Sequence, residues 1–348
     1  MKAILYPVIF VSIISCVSDK SIRQTINLEG TWEFALDTAD AGITQTWFSL
    51  SLHDSVMLPG TTDSNLKGFK NKDTTTLHLN RVFKYEGVAW YRKKVVVPDH
   101  FKNKHIVLHL ERTKPCKIWV DGIFAGTSSL LQSPQEYDLS ELLTPGEHFI
   151  TLRIDNSLKL TPYGNVHIYS DDTQTNWNGV IGDIFLEASE KTFISNLQVY
   201  PDIEKKTIDI RMEVTNGLKL ENAEIFFYVK KTEGGKTKKL KPMRIDTTID
   251  PEMSFTYNLA SDCSLWDDYN QPVYQLRAVI KSDDIRDEKT VPFGMRKFSV
   301  SGTQFTINNR ITFLRGKHEA AVFPLTGYTP ADVESWLRVY RIAKSYGI

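Results

Sequence analysis

The sequence predicts a mainly β protein, a jelly-roll sandwich followed by a smaller immunoglobulin-like sandwich and then a single strand-to-helix unit. Three observations predict it. Apolar and polar residues alternate at period two between turn residues along most of the chain. The alternation falls into two blocks, one over 22–190 and a shorter one over 191–298. Helical spacing appears only in the remaining segment, 299–348.

Length and composition agree. At about 100–200 residues per domain, 348 residues allow two or three domains with real cores, and 41% hydrophobic content can fill them. Lys+Arg and Asp+Glu number 42 each, which removes the electrostatic footprint of a nucleic-acid binder and excludes an acidic solvating chain. No nucleic-acid partner is expected. The 3 cysteines, Cys16, Cys116 and Cys263, are too few and too far apart for a disulfide framework or a zinc array.

The first residues read as a targeting segment. Lys2 supplies a positive start, Ile4 to Ile14 is apolar, and Ile13-Ile14-Ser15-Cys16 resembles a bacterial lipobox. Residues 1–15 are then a signal peptide and 16–21 a tether whose Cys16 carries lipid. A plain signal peptide with a chance cysteine is the alternative. The apolar run is short of the roughly 20 residues that span hydrocarbon. The expectation is export to the periplasm or outer membrane of a Gram-negative bacterium, with membrane attachment through Cys16.

Strand signals then follow in order. Leu28, Gly30, Trp32 and Phe34 open the first block, Ala89 to Val97 is a β-branched strand ended by Pro98, and Ile106, Leu108 and Leu110 alternate in a third. Lys117 to Val120 turns at Asp121-Gly122, a pair suited to a tight hairpin, into Ile123-Phe124. Thr144-Pro145-Gly146 leads into Phe149 to Ile154, and Gly182 to Glu187 closes the block. The pattern suits an antiparallel jelly roll.

In the second block the strands are Thr207 to Val214, Ala223 to Lys230, Ser254 to Leu259 and Val273 to Ile280, with a Gly234-Gly235 hairpin between lysine-rich arms. The spacing suits an immunoglobulin-like sandwich. Lys230, Lys231, Lys236, Lys238, Lys239 and Lys241 read as a solvated hairpin, because no aromatic residue interleaves with them in the sequence. Lys230 also stands where a phosphate loop needs its first glycine.

Phe305 to Ile307 turns at Asn308-Asn309 into Ile311 to Leu314, and a helix follows. Thr329-Pro330-Ala331-Asp332 resembles a capping start, and Val333, Trp336, Leu337, Tyr340 and Ala343 recur at helical spacing. The expected helix runs over Pro330 to Tyr346.

An ordered set of motifs now carries a resemblance: Trp32-Glu33-Phe34, Leu58-Pro59-Gly60-Thr61, Ala89-Trp90-Tyr91-Arg92, Ile118 to Gly122, Asn176 to Ile184, and Phe313 to Glu319. Together they resemble glycoside hydrolase family 2, which includes β-galactosidases, β-glucuronidases and β-mannosidases. The resemblance implies a sugar-binding jelly roll, an immunoglobulin-like domain and the entry to a (β/α)8 barrel, so that 299–348 is the first βα unit of an incomplete barrel. It implies retaining hydrolysis of terminal β-glycosides by two glutamates on later barrel strands, absent from this chain. No catalytic residue is therefore assigned, and neither Glu319 nor Glu334 substitutes for one. The other reading is a non-catalytic carbohydrate-binding lipoprotein derived from such an enzyme.

The resemblance further implies that the jelly roll lends polar groups to a sugar at the barrel mouth. Asn80 matches the family asparagine, and Asp172, Trp177 and Asn178 lie where the family has an acidic and aromatic contribution. His318 and Glu319 follow the first barrel strand. Each has a structural alternative: Trp177 a core anchor, Asn178 before Gly179 a turn residue, Asp172 a solvated loop. Ala320-Ala321-Val322 departs from the more polar β-galactosidase pattern and puts galactose specificity in doubt. The implied partner is a β-linked oligo- or polysaccharide. No cofactor or metal is expected, since the chain has no His-Glu-x-x-His run, Gly-x-Ser-x-Gly elbow or dinucleotide fingerprint. His105 and His109 read as a solvent-facing pair, and Cys116 and Cys263 as buried thiols.

Overall fold

The computed structural model describes residues 23–75, 78–160, 176–215, 220–282, 285–319 and 323–348. Cys16 and the whole targeting segment lie outside them, as does Asp172.

The first sandwich packs two antiparallel sheets. In one, β1 (Gln24–Asn27), β13 (Gly179–Ser189), β8 (His105–Thr113) and β11 (Gln135–Asp138) are neighbours in that order, and the short β4 (Gly60–Thr61) also pairs with β13. In the other the order is β10 (Ile123–Ser128), β9 (Cys116–Val120), β12 (Gly146–Asp155), β7 (Val88–Val97), β2 (Gly30–Asp37) and β3 (Asp54–Leu58). A small ribbon joins β5 (Phe69–Lys70) to β6 (Phe83–Lys84). Period-two alternation decides which side chains enter the core. In β8, Ile106, Leu108 and Leu110 point inward and are buried, while His105 and His109 stay partly exposed on the other face. Trp32, Tyr91, Ile118 and Leu152 join the same core, each worth about 1.5–3 kcal/mol on burial. At Asp121-Gly122 both residues take positive φ, 49° and 83°, as a two-residue hairpin requires.

The second sandwich has one sheet of β14 (Ile194–Asp202), β15 (Thr207–Val214) and β19 (Glu252–Asn258). Its other sheet orders β17 (Lys236–Lys239), β16 (Leu220–Glu233), β20 (Val273–Ser282) and β21 (Ile285–Phe293), with β18 (Met243–Ile249) also on β16. Ile208, Ile210 and Met212 face Ile225, Phe227, Leu276 and Ile280 in a separate core. The lysine hairpin is solvent-facing, every residue of β17 being exposed.

At the C-terminal end β22 (Phe298–Ser301), β23 (Gln304–Ile307) and β24 (Arg310–Ile311) form a three-stranded meander, and α1 (Val333–Ser345) follows. The helix starts later than the sequence suggests. Asp332, not Thr329, is the cap: its carboxylate accepts the Ser335 amide at 2.8 Å. A charged acceptor at that position also favours the positive end of the helix dipole. No residue of α1 is buried, and Trp336 of its apolar stripe packs edge-on against Phe323. Among the described residues no helix is long and apolar enough to cross a membrane.

One ion pair ties the sandwiches together. Arg23, just ahead of β1, donates from Nε and Nη2 to the two oxygens of Asp287 in β21, at 3.0 and 2.9 Å. It also reaches Glu187 at 2.9 Å and the Ile194 carbonyl at 2.7 Å. Asp287 is 0% exposed and accepts the Ile194 amide as well. Arg23→Ala should cost about 3–5 kcal/mol, because it leaves a buried carboxylate unpaired. In a denaturant cycle the Arg23→Ala and Asp287→Ala losses should be strongly non-additive. Additive losses would show that the pair does not act as a unit.

Candidate functional site

One end of the first sandwich gathers polar loops above β13 and β4. A cis peptide bond precedes Pro59, and the turn that follows is held by side chains: Thr61 and Ser64 exchange hydrogen bonds, and Asn65 donates to the Met57 and Thr61 carbonyls. Gly179 has φ 139°, and a Cβ there would sit 2.2 Å from the Gly60 carbonyl oxygen. Only glycine permits this close approach. The Thr62 amide donates to the Asn178 carbonyl at 2.8 Å, locking the two loops together.

Three asparagines build the base of this lip. Asn156 donates to the Tyr85 and Asn176 carbonyls at 3.0 and 2.8 Å and accepts the Gly87 amide. Asn176 returns a bond to the Asn156 carbonyl. Asn178 is fully buried: its Oδ1 accepts the Tyr91 hydroxyl at 2.8 Å, and its Nδ2 donates to the Gly87 and Ile154 carbonyls. Its amide therefore lies under the lip and not on it, which corrects the expectation that it faces a sugar. Satisfying a buried amide on three sides wins over exposure.

The other expected residues are placed differently. Asn80 is half-buried and donates to the Thr75 carbonyl at 2.5 Å. Next to it Arg81, almost fully buried, donates to Asp63 at 3.0 Å and to the Asn176 carbonyl at 3.3 Å. Gly327 packs so tightly on Asn80 that a Cβ there would lie 2.2 Å from the Asn80 carbonyl oxygen, which brings the C-terminal segment against the lip. Trp177 is half-buried, with the Lys114 ammonium 4.7 Å from its ring centroid. His318 and Glu319 are exposed on the segment after β24, where Lys317 pairs with Glu319. Asp172 is outside the described residues.

Sequence reasoning missed Lys114 and the Arg81–Asp63 pair. Both involve charged groups placed by loops between strands, and only the adjacency of Asn80 to Arg81 hints at the second. Burial, reinforced by Arg112, pushes the Lys114 ammonium down to about 7. Burial likewise pushes the Cys116 thiol up to about 12, while Cys263 is only half-buried. Among the described residues no cluster of three His, Cys, Asp or Glu could hold a metal. The lip can therefore offer hydrogen bonds and an aromatic face.

The family model of the glycosyl hydrolases family 2 sugar binding domain matches residues 25–189, and that of glycosyl hydrolases family 2 matches 192–296. The chain belongs to glycosyl hydrolase family 2. It is 26% identical over 313 residues to a β-glucuronidase of Streptococcus agalactiae, covering 85% of this chain and 48% of the relative. It is 24% identical to a β-galactosidase of Thermoanaerobacter pseudethanolicus over 275 residues, 73% of this chain and 36% of that protein. Among solved structures, the Ruminococcus gnavus β-glucuronidase in complex with D-glucuronic acid matches with TM-score 0.64 at 19% identity, over 90% of this chain and 51% of that one. The β-glucuronidase of an uncultured Clostridium sp. matches with TM-score 0.62 at 20% identity, over 88% and 49%. These likenesses are of fold. The chain spans about half the length of the β-glucuronidases it matches.

The Lys114 environment predicts a pH dependence. Between pH 7 and the ordinary lysine value of 10.5 the unfolded chain binds a proton that the folded chain has lost. Stability therefore rises with pH across that window. Lys114→Met should flatten the rise and stabilise the protein most at and below pH 7. Urea titrations at pH 7 and 9 read this directly, and an unchanged slope in the variant would show that Lys114 stays charged in the fold.

Proposed function

We propose that this chain is the sugar-orienting, non-catalytic part of an exported family 2 glycosidase acting on terminal β-glycosides with retention. The observation that carries the reading is the lip, where Asn80 and Trp177 stand beside buried groups that fix the loops, and where the C-terminal segment packs on Asn80 through Gly327. A sugar is recognised by polar groups meeting its hydroxyls and a flat apolar surface meeting its ring. Asn80, with Asp172, His318 and Glu319, would supply the first and Trp177 the second. The match to two family 2 models, and relatives that are β-glucuronidases and a β-galactosidase, support the substrate class.

Retaining chemistry needs two carboxyl groups about 5–5.5 Å apart, one to protonate the leaving oxygen and one to form the glycosyl intermediate. In this reading both come from the part of the relatives that this chain does not span. The chain by itself should then bind D-glucuronic acid or galactose no better than millimolar, about −4.1 kcal/mol, since a lip adds only a few hydrogen bonds of about 0.5–1.5 kcal/mol each. Chemical-shift titration should move Trp177 and Asn80 signals, and Asn80→Ala should abolish the effect. Hydrolysis of an aryl β-glycoside by the purified chain, lost on mutation of one of its own carboxylates, would overturn the non-catalytic assignment.

The same proposal includes export and anchoring by an acylated Cys16, supported by Ile13-Ile14-Ser15-Cys16. Expressed in a Gram-negative host, the protein should fractionate with membranes, and Cys16→Ser should release it. An intact peptide spanning Ser15 to Val17 in the exported protein would reject the anchor.

A further inference from the structure

A second concave surface lies where the two sandwiches meet. Its volume is about 700 Å³, within the range of about 300–1,000 Å³ typical of small-molecule sites, which form preferentially at domain interfaces. Its floor is the outer face of β8 and β13, and its far wall comes from β14 and β21. The Arg23–Asp287 pair fixes the two walls relative to each other.

The histidines of β8 enter this cleft and are held in place. The His109 ring stacks on Phe185, its cross-strand partner, at 4.6 Å and 16°, and its Nδ1 lies 3.2 Å from Glu136. The His105 ring stacks on Phe193 at 4.5 Å and 19°, with Nε2 3.5 Å from Asp138. Each imidazole is thus clamped by a ring on one side and a carboxylate on the other. Among the described residues the second ring nitrogen of His109 has no partner. The hydrogen bond from His109 keeps the Glu136 carboxyl below the usual carboxylate range, so it accepts hydrogen bonds at neutral pH.

We propose that this cleft is a second carbohydrate site, binding a neutral oligosaccharide independently of the lip. Fixed acceptors on Glu136, Glu187 and the free Nε2 of His109, whose Nδ1–H is given to Glu136, and a donor on Lys289, held by the Ser195 carbonyl, alternate with the edges of Phe185 and Phe193, the mixture that hydroxyls and sugar C–H groups require. Charge selects a neutral ligand. Glu288 is paired with Arg277, so Asp287, Glu187 and Glu136 stand against Arg23 and Lys289, and the remaining negative charge repels a uronate or sulfated sugar. The polar walls equally disfavour a lipid. The site is separate from the lip because β13 runs between them: Val180 pairs with Gly60 at one end and Glu187 faces the cleft at the other, about 20 Å apart at 3.4 Å per residue along the paired stretch of β8 from Thr113 to Val107.

The test is chemical-shift and calorimetric titration of the full chain with cellotetraose and with β-1,4-galactotetraose. At least one should bind saturably with shifts centred on Phe185 and His109. Phe185→Ala and Glu136→Gln should each weaken binding tenfold or more, and Asn80→Ala should leave it unchanged. Glu136→Gln keeps the ring stack and replaces an exposed carboxylate, so it separates lost binding from lost folding. Saturable binding of neither tetrasaccharide, binding that Glu136→Gln leaves unchanged, or shifts confined to Trp177 and Asn80 would overturn the proposal. Tighter binding of D-glucuronic acid than of either tetrasaccharide in the cleft would overturn the neutral class. Failure here leaves the lip untouched, since the lip is read from Asn80 and Trp177 with monosaccharides.

Discussion

The relative placement of the two sandwiches depends on one buried charge. Asp287 is fully enclosed, and a buried carboxylate costs several kcal/mol unless paired and hydrogen-bonded. Its partners come from two places: the guanidinium of Arg23 ahead of β1 and the amide of Ile194 at the start of β14. Arg23 satisfies both oxygens with a planar fork and still has donors for Glu187 and the Ile194 carbonyl. Lysine could not make that set from a single ammonium. The first residues of one domain, the linker and the second domain are therefore constrained by the same few bonds. The cleft between them has a defined width as a result.

A different device shapes the opposite end. The lip is assembled from loops, and loops lack ladders to satisfy their backbone groups. Asn156, Asn176 and Asn178 take over that task, each meeting backbone groups that the strands leave open. The Arg81–Asp63 pair does the same with charge. Such bases are rigid because leaving any one donor unsatisfied costs about 1–3 kcal/mol. Rigidity below lets Trp177 and Asn80 hold fixed positions at the surface above.

What could be read from the sequence follows from how local each signal is. Alternation within β8 and β15 and the turns at Asp121-Gly122 and Gly234-Gly235 are decided by a few adjacent residues, and the structure has them where the pattern puts them. The helix start shows the limit even of local rules, since Thr329 and Asp332 both offer a capping oxygen and the anion takes the role. Asn178 could not be assigned from sequence: an asparagine before glycine reads as a turn, as a ligand or as a buried strut, and only the Tyr91 hydroxyl from a strand 87 residues away decides. Lys114 is similar, because its low ammonium value comes from burial by distant loops. The cleft is the extreme case. His105 and His109 read as a solvent-facing pair, yet the second domain lies against that face and leaves both only partly exposed.

One strand links these levels. β13 begins at Gly179 beneath the lip, pairs with β8 along the jelly-roll core and ends at Ser189, opposite His105. The inner side chains Ile184 and Leu186 hold it in the core, so its two ends cannot shift independently without opening that core. Its outer face is free to carry different chemistry along its length: close backbone approach at Gly179, an aromatic partner for His109 at Phe185, a carboxylate for Arg23 at Glu187. The register that buries the apolar set therefore also fixes the distance between the lip and the cleft. A one-residue slip would turn Phe185 and Glu187 into the core and lose both surfaces together.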